Sequence, residues 1–197
     1  MNHLRRAYLA GLVALGGGAV QIVYGLLAIW FPYGDQFYGW DEALWAVANV
    51  GMIGGVLGLL FLDVGRPRWL ARLGAALSVL GYLLRIIVSI VLIVAPTQAD
   101  AYVPFVLLSI LLMVLGLLVL GIVTLRGGQL QGWRGWLPLI IVGCMVGIVP
   151  TYDSNRYLHF ILLGLWGLPW MLLSFVVLTR STARQQGAAS ELSHAGS

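Results

Sequence analysis

The stretch Leu70–Ala95, LARLGAALSVLGYLLRIIVSIVLIVA, decides how the chain is read. It is a long apolar run with a single arginine, Arg85, in its outer half. A helix rising about 1.5 Å per residue covers roughly 37 Å over such a run, enough to cross a hydrocarbon core of about 30 Å. An arginine at the centre of a spanning helix costs roughly 2.5–3.5 kcal/mol on insertion scales, so Arg85 needs a local explanation.

The rest of the chain has the same character. Its 197 residues are 60% hydrophobic and 9% charged. A soluble domain carries about 25% charged residues, so the class is an all-α integral membrane protein. All eleven basic residues are arginine, and all but Arg85 are dispersed at the ends of apolar runs. That placement reads as membrane topology, and no nucleic-acid partner is expected. The single cysteine, Cys144, excludes an internal disulfide and a cysteine zinc cluster.

Working outward from the opening stretch, six runs are long enough to span: about 7–31, 42–62, 70–95, 102–125, 136–152 and 158–179. The first is longer than the apolar core of about 7–15 residues in a signal peptide and lacks a small-x-small cleavage site, so it reads as a retained span. The fifth is short, because Pro150 closes its strongly apolar part. Residues 180–197 are small and polar and are expected to form a disordered cytoplasmic tail.

The arginines orient the spans. The N-terminal end, the second and fourth connections and the tail hold Arg5, Arg6, Arg66, Arg68, Arg72, Arg126, Arg134, Arg180 and Arg184, with Asp63 and Glu191 as their acids. The first, third and fifth connections hold Asp35, Asp41, Glu42, Asp100 and Asp153 against Arg156 alone. The positive-inside rule counts basic residues, and nine against one predicts a six-helix transmembrane bundle with N- and C-termini cytoplasmic. Asp41, Asp100 and Asp153 each precede an even-numbered span, where a carboxylate caps exposed N–H groups and meets the positive end of the helix dipole. The outward connections PYGD, PTQAD and PTYD resemble one another, but Pro32, Pro96 and Pro150 are unevenly spaced, which weakens a reading as three repeated hairpins.

The polar groups inside the spans are the candidate functional residues. Arg85 lies about 22 Å along the helix from Leu70 and about 15 Å from Ala95, somewhat outside the midplane. Gly74, Ser78, Gly81, Arg85 and Ser89, with Tyr82 beside them, follow a three-and-four spacing and form a small, polar stripe that should face protein. Gln21 in the first span and Asn49 in the second fall at comparable depth, each on a face rich in Gly and Ala. Arg85, Gln21 and Asn49 are therefore expected to converge, with Tyr82 and Ser89 beside them and His159 and Asp153 completing the cluster. Two readings stand. Either the amides and the guanidinium bond one another and lock the bundle, or they line an outward-facing pocket for an anionic, polar or lipid-like ligand.

The aromatic residues around Asp35, Asp41 and Glu42, namely Trp30, Phe31, Tyr33, Phe37, Tyr38, Trp40 and Trp45, read either as an interfacial belt or as a cage for an organic cation. Catalytic signatures are missing: there is no HExxH, GxSxG or GxxxxGK[ST] motif, and, with Glu42 counted in the first outward connection, no acid is expected inside the spans for a proton or ion relay. No enzymatic activity, cofactor or metal is expected. The expectation is a multi-pass protein of a bacterial cell membrane that binds or transports a polar or lipid-like ligand around Arg85. The alternative is a structural or accessory subunit that packs against a membrane partner or a second copy through its Gly-rich helix faces.

Overall fold

The computed structural model describes residues 2–30, 38–95, 99–130, 132–151 and 155–195. Seven α-helices account for most of them: α1 (Asn2–Trp30), α2 (Tyr38–Phe61), α3 (Arg68–Val94), α4 (Ala99–Gly127), α5 (Leu137–Ile148), α6 (Arg156–Leu165) and α7 (Gly167–Ala195). Among the described residues there is no strand. Six helical stretches are long and apolar enough to cross a membrane, and the chain is an all-α transmembrane bundle.

The boundaries shift in ways that have local causes. The second span begins at Tyr38 rather than at Glu42, so Asp41 lies within α2 instead of ahead of it, and Glu42 lies about one turn in rather than at its first position. The fifth span is a twelve-residue α-helix lengthened at both ends by tighter 3₁₀ turns, Gly132–Trp136 and Val149–Thr151. The sixth is interrupted at Trp166. Pro169 has no N–H to offer the carbonyl of Leu165, so the regular bonding pattern lapses there. Asn155 starts α6 as its cap, its side-chain oxygen accepting from Leu158 N–H at 3.0 Å. Residues 180–195, expected to be disordered, continue α7 as helix. Their Ala, Arg, Gln and Glu residues are good helix formers, and extending an existing helix costs far less than nucleating one.

The helices pack in an order the chain does not announce. α2 lies between α1 and α3, α1 also packs on α6 and α7, and α4 packs on α3 and α5. Gly17 of α1 and Gly51 of α2 sit backbone to backbone, so a Cβ on either would overlap the other. On α3, a Cβ at Gly74 would meet the Gly116 carbonyl of α4 at 2.8 Å. Small residues at such crossings let backbones approach and bring many van der Waals contacts together, which is the main attraction available between helices in lipid.

Three further glycines of α2 are also consumed within the chain. Gly54 faces the Ala10 carbonyl, Gly55 the Trp170 ring and Gly58 the Val177 side chain, each 2.8–2.9 Å from where a Cβ would stand. The alternative reading gives this face to association with a partner or second copy; these glycines are internal. Fully buried side chains at the core include Trp170, Tyr82, Met52 and Leu59, while Val50, Leu83, Ile87, Leu107, Leu111 and Phe175 point outward. An apolar exterior is what a bilayer requires.

At one end of the bundle the two arginine-bearing connections and α7 are tied together. Arg184 donates to the Leu62 carbonyl at 2.8 Å and to Gln129 Oε1 at 3.2 Å, and Arg66 N–H donates to the Val123 carbonyl at 3.0 Å. A guanidinium at the end of α2 satisfies a terminal carbonyl and complements the negative end of the helix dipole.

Candidate functional site

The antiparallel α2–α3 hairpin brings the start of α2 beside the last third of α3, and this places Glu42 against Arg85. The two form a bidentate pair: Arg85 Nη1 donates to Glu42 Oε2 at 2.9 Å and Nη2 to Oε1 at 3.1 Å. Arg85 Nη1 also donates to Ser89 Oγ, one turn further along α3, at 2.8 Å. The guanidinium lies over the Trp45 ring, 5.5 Å from its centroid. Trp45 is one turn beyond Glu42 on α2, so a single helix face supplies both the counter-charge and the aromatic surface. Its ring is held in turn by Tyr24 of α1, at 5.2 Å, and by Trp166, at 6.1 Å.

Both charged side chains are only 11% exposed. Holding an isolated charge in such surroundings would be costly, but a fork-to-fork arginine–carboxylate pair cancels the charge and meets four of the polar atoms at once. The positive end of α2 adds a favourable field for Glu42. The result is a closed, mutually compensated cluster. The planar guanidinium can exchange Glu42 for another carboxylate or phosphate of similar shape.

The predicted residues divide around this pair. Ser89 belongs to it directly. Gln21 does not: its Nε2 donates across to the Leu163 carbonyl of α6 at 3.0 Å. Gly18 and Gly25 set that orientation, since they are pressed against Gly167 and Gly164 and turn this face of α1 toward α6 and α7. Asn49 Nδ2 donates to the Trp45 carbonyl of its own helix at 2.6 Å. Tyr82 is fully buried and meets Trp170 edge to face, with ring centroids 5.9 Å apart. His159 meets Thr151 Oγ1 through Nδ1 at 3.1 Å and packs edge to face on Phe160. Asp153 lies outside the described residues.

The expected convergence of Arg85, Gln21 and Asn49 is therefore corrected. Equal depth is not adjacency, because α1 faces α6 and α7 on the side where Gln21 projects. The expectation that no acid lies within the spans is corrected as well, by Glu42. A signal for it was present: Glu42, Trp45 and Asn49 follow a three-and-four spacing, and a lone intramembrane arginine calls for an acid. Of the aromatic residues weighed as a cation cage, Phe31, Tyr33 and Phe37 lie outside the described residues. Trp45 does hold a cation, and that cation is Arg85 of the same chain.

Among the described residues no group of three His, Cys, Asp or Glu side chains is placed to hold a metal ion. Compared with protein-family models, curated proteins and solved structures, the chain matches none.

Proposed function

We propose that this multi-pass membrane protein binds or moves a polar or lipid-like ligand that presents a carboxylate or phosphate to Arg85, with Glu42 occupying the guanidinium when the ligand is away. The reading assigns no catalytic step, and it places the arginine-rich end of the bundle and both termini in the cytoplasm of a cell membrane, by the charge bias of the connections. The observation that carries it is the bidentate Arg85–Glu42 pair, 11% exposed, within helices that span the bilayer. Intramembrane ionisable residues are retained mainly where they serve ligands, ions or gating, and a guanidinium fork selects planar oxyanions.

A second reading has its own support. Among the described residues the guanidinium bonds to Glu42 of α2 and Ser89 of α3, an arrangement that also suits a tie between α2 and α3 in a structural or accessory subunit. Native mass spectrometry separates the two, using protein released from nanodiscs and offered phosphatidylglycerol or a fatty acid. The ligand reading expects Glu42→Gln to retain more of one probe than the wild type. It also expects Arg85→Met/Glu42→Met, which leaves no charge buried, to retain none. Equal retention by all three proteins rejects the ligand reading and leaves the tie.

A further inference from the structure

The arginine-rich end of the bundle carries more charge than its own acids compensate. Arg66 lies in the connection between α2 and α3, Arg68 and Arg72 in the first turns of α3, Arg126 in the last turn of α4, and Arg134 in the 3₁₀ turn that leads into α5. The acid beside them is Asp63, and Arg68 takes it, with Nε donating to Oδ2 at 2.9 Å and Nη2 to the same oxygen at 2.6 Å. The guanidinium groups of Arg66, Arg72, Arg126 and Arg134 have neither a hydrogen bond nor an ion pair among the described residues. All four residues are exposed.

The fold draws these charges to one junction although they are far apart in sequence. Arg66 N–H donates to the Val123 carbonyl at 3.0 Å, and a Cβ added at Gly127 would stand 3.3 Å from Arg66 N, so the backbones of Arg66 and Arg126 adjoin. Gly135, next to Arg134, is pressed onto the same end of α4, where its Cβ would meet Leu125 Cδ2 at 3.1 Å. Nothing lies within 4 Å of a Cβ added at Gly128 or Gly132, so there is open space beside the arginines of this connection. Trp69, Trp133 and Trp136 are exposed around it. Spans end at Phe61 and Gly127 and begin at Arg68 and Gly132, which sets the junction at the level of the lipid headgroups.

Uncompensated arginines at the edge of a bilayer, among interfacial tryptophans, attract anionic headgroups. A guanidinium meets a phosphate through two parallel hydrogen bonds, and a single phosphate would leave most of these cations without a counter-charge. We infer that the junction of the two arginine-bearing connections, with Arg66 and Arg126 at its centre and Arg134 beside them, binds a phospholipid headgroup that carries two phosphates. The site is separate from the ion pair, because Arg85 lies about 25 Å along α3 from Arg68 and its hydrogen bonds go to Glu42 and Ser89.

Titration of the delipidated full chain with cardiolipin, whose headgroup joins two phosphates, tests the site by native mass spectrometry. One arginine near a bilayer surface changes the affinity for an anionic lipid about fivefold, so Arg66→Gln/Arg126→Gln should weaken cardiolipin binding about twenty-fivefold. The Arg66 N–H keeps its bond to Val123 in that variant, so its melting curve without lipid should match the wild type. Arg5→Gln/Arg6→Gln removes the same charge from exposed positions on α1 and should weaken binding no more than about twofold. Phosphatidylglycerol, with one phosphate, should bind the wild type roughly tenfold more weakly than cardiolipin. Arg85→Met/Glu42→Met should bind cardiolipin as the wild type does, which keeps this outcome apart from that of the ligand reading. Equal losses in the α1 variant would mark diffuse attraction and overturn the site, as would an Arg66→Gln/Arg126→Gln variant that binds like the wild type. Loss in Arg85→Met/Glu42→Met would move the lipid to the ion pair, and equal affinity for the two lipids would overturn the two-phosphate assignment. Should the paired variant fail to fold, the single substitutions are read instead, at about fivefold each.

Discussion

Removing one member of the Arg85–Glu42 pair should harm the protein far more than removing both. Glu42→Met leaves the guanidinium in a site that is 11% exposed, with Ser89 Oγ and the Trp45 ring as its remaining partners. Breaking a buried pair costs about 3–5 kcal/mol. The cation–π contact, worth about 0.5–2 kcal/mol, and the reach of a long side chain toward the interface set the expected loss at the lower end, about 3 kcal/mol. Arg85→Met strands a carboxylate that lacks that reach and should cost about 4 kcal/mol. The double substitution buries two flexible apolar side chains in place of two desolvated ions, and replacements of this kind are often neutral or stabilising, so it should fall within about 1 kcal/mol of the wild type. The single losses thus sum to about 7 kcal/mol, while the double loss is about 1, a coupling that no independent pair of sites would show. Steric trapping in nanodiscs measures all four proteins on one scale. A double variant that loses the sum of the singles, or a Glu42→Met variant that loses less than about 1 kcal/mol, would refute the account of this pair as a mutually compensated buried unit.

Two further outcomes follow from the packing and the charge bias. Gly51→Val drives a side chain into the backbone of Gly17 and should cost about 3 kcal/mol or prevent accumulation, whereas Gly16→Val, with open space around its Cβ, should stay within about 0.5 kcal/mol; melting curves in detergent compare them. In a Cys144→Ser background, cysteines at Gln131 and Ser190 should resist a membrane-impermeant maleimide in intact cells while one at Gln36 reacts, and the reverse pattern would overturn the positive-inside assignment.

Much of this molecule follows from linear pattern alone. A six-span α-helical bundle is dictated by the length of the apolar runs, since a bilayer core admits only segments that satisfy their own backbone. The inward face of α3 is likewise legible, because Gly74, Ser78, Gly81, Tyr82 and Ser89 share a helical stripe and all are buried. Depth along each helix is legible too, which is why Gln21, Asn49 and Arg85 look like one cluster. What the chain does not encode locally is which helix stands beside which, and how each is turned. The close approach of Gly18 and Gly25 to Gly167 and Gly164 sends Gln21 to α6, and the α2–α3 hairpin delivers Glu42 to Arg85. Both are contacts between distant parts of the chain, selected by packing of whole helix faces. For that reason the arginine was visible as an anomaly in Leu70–Ala95, while its acid and its aromatic platform were decided by tertiary structure.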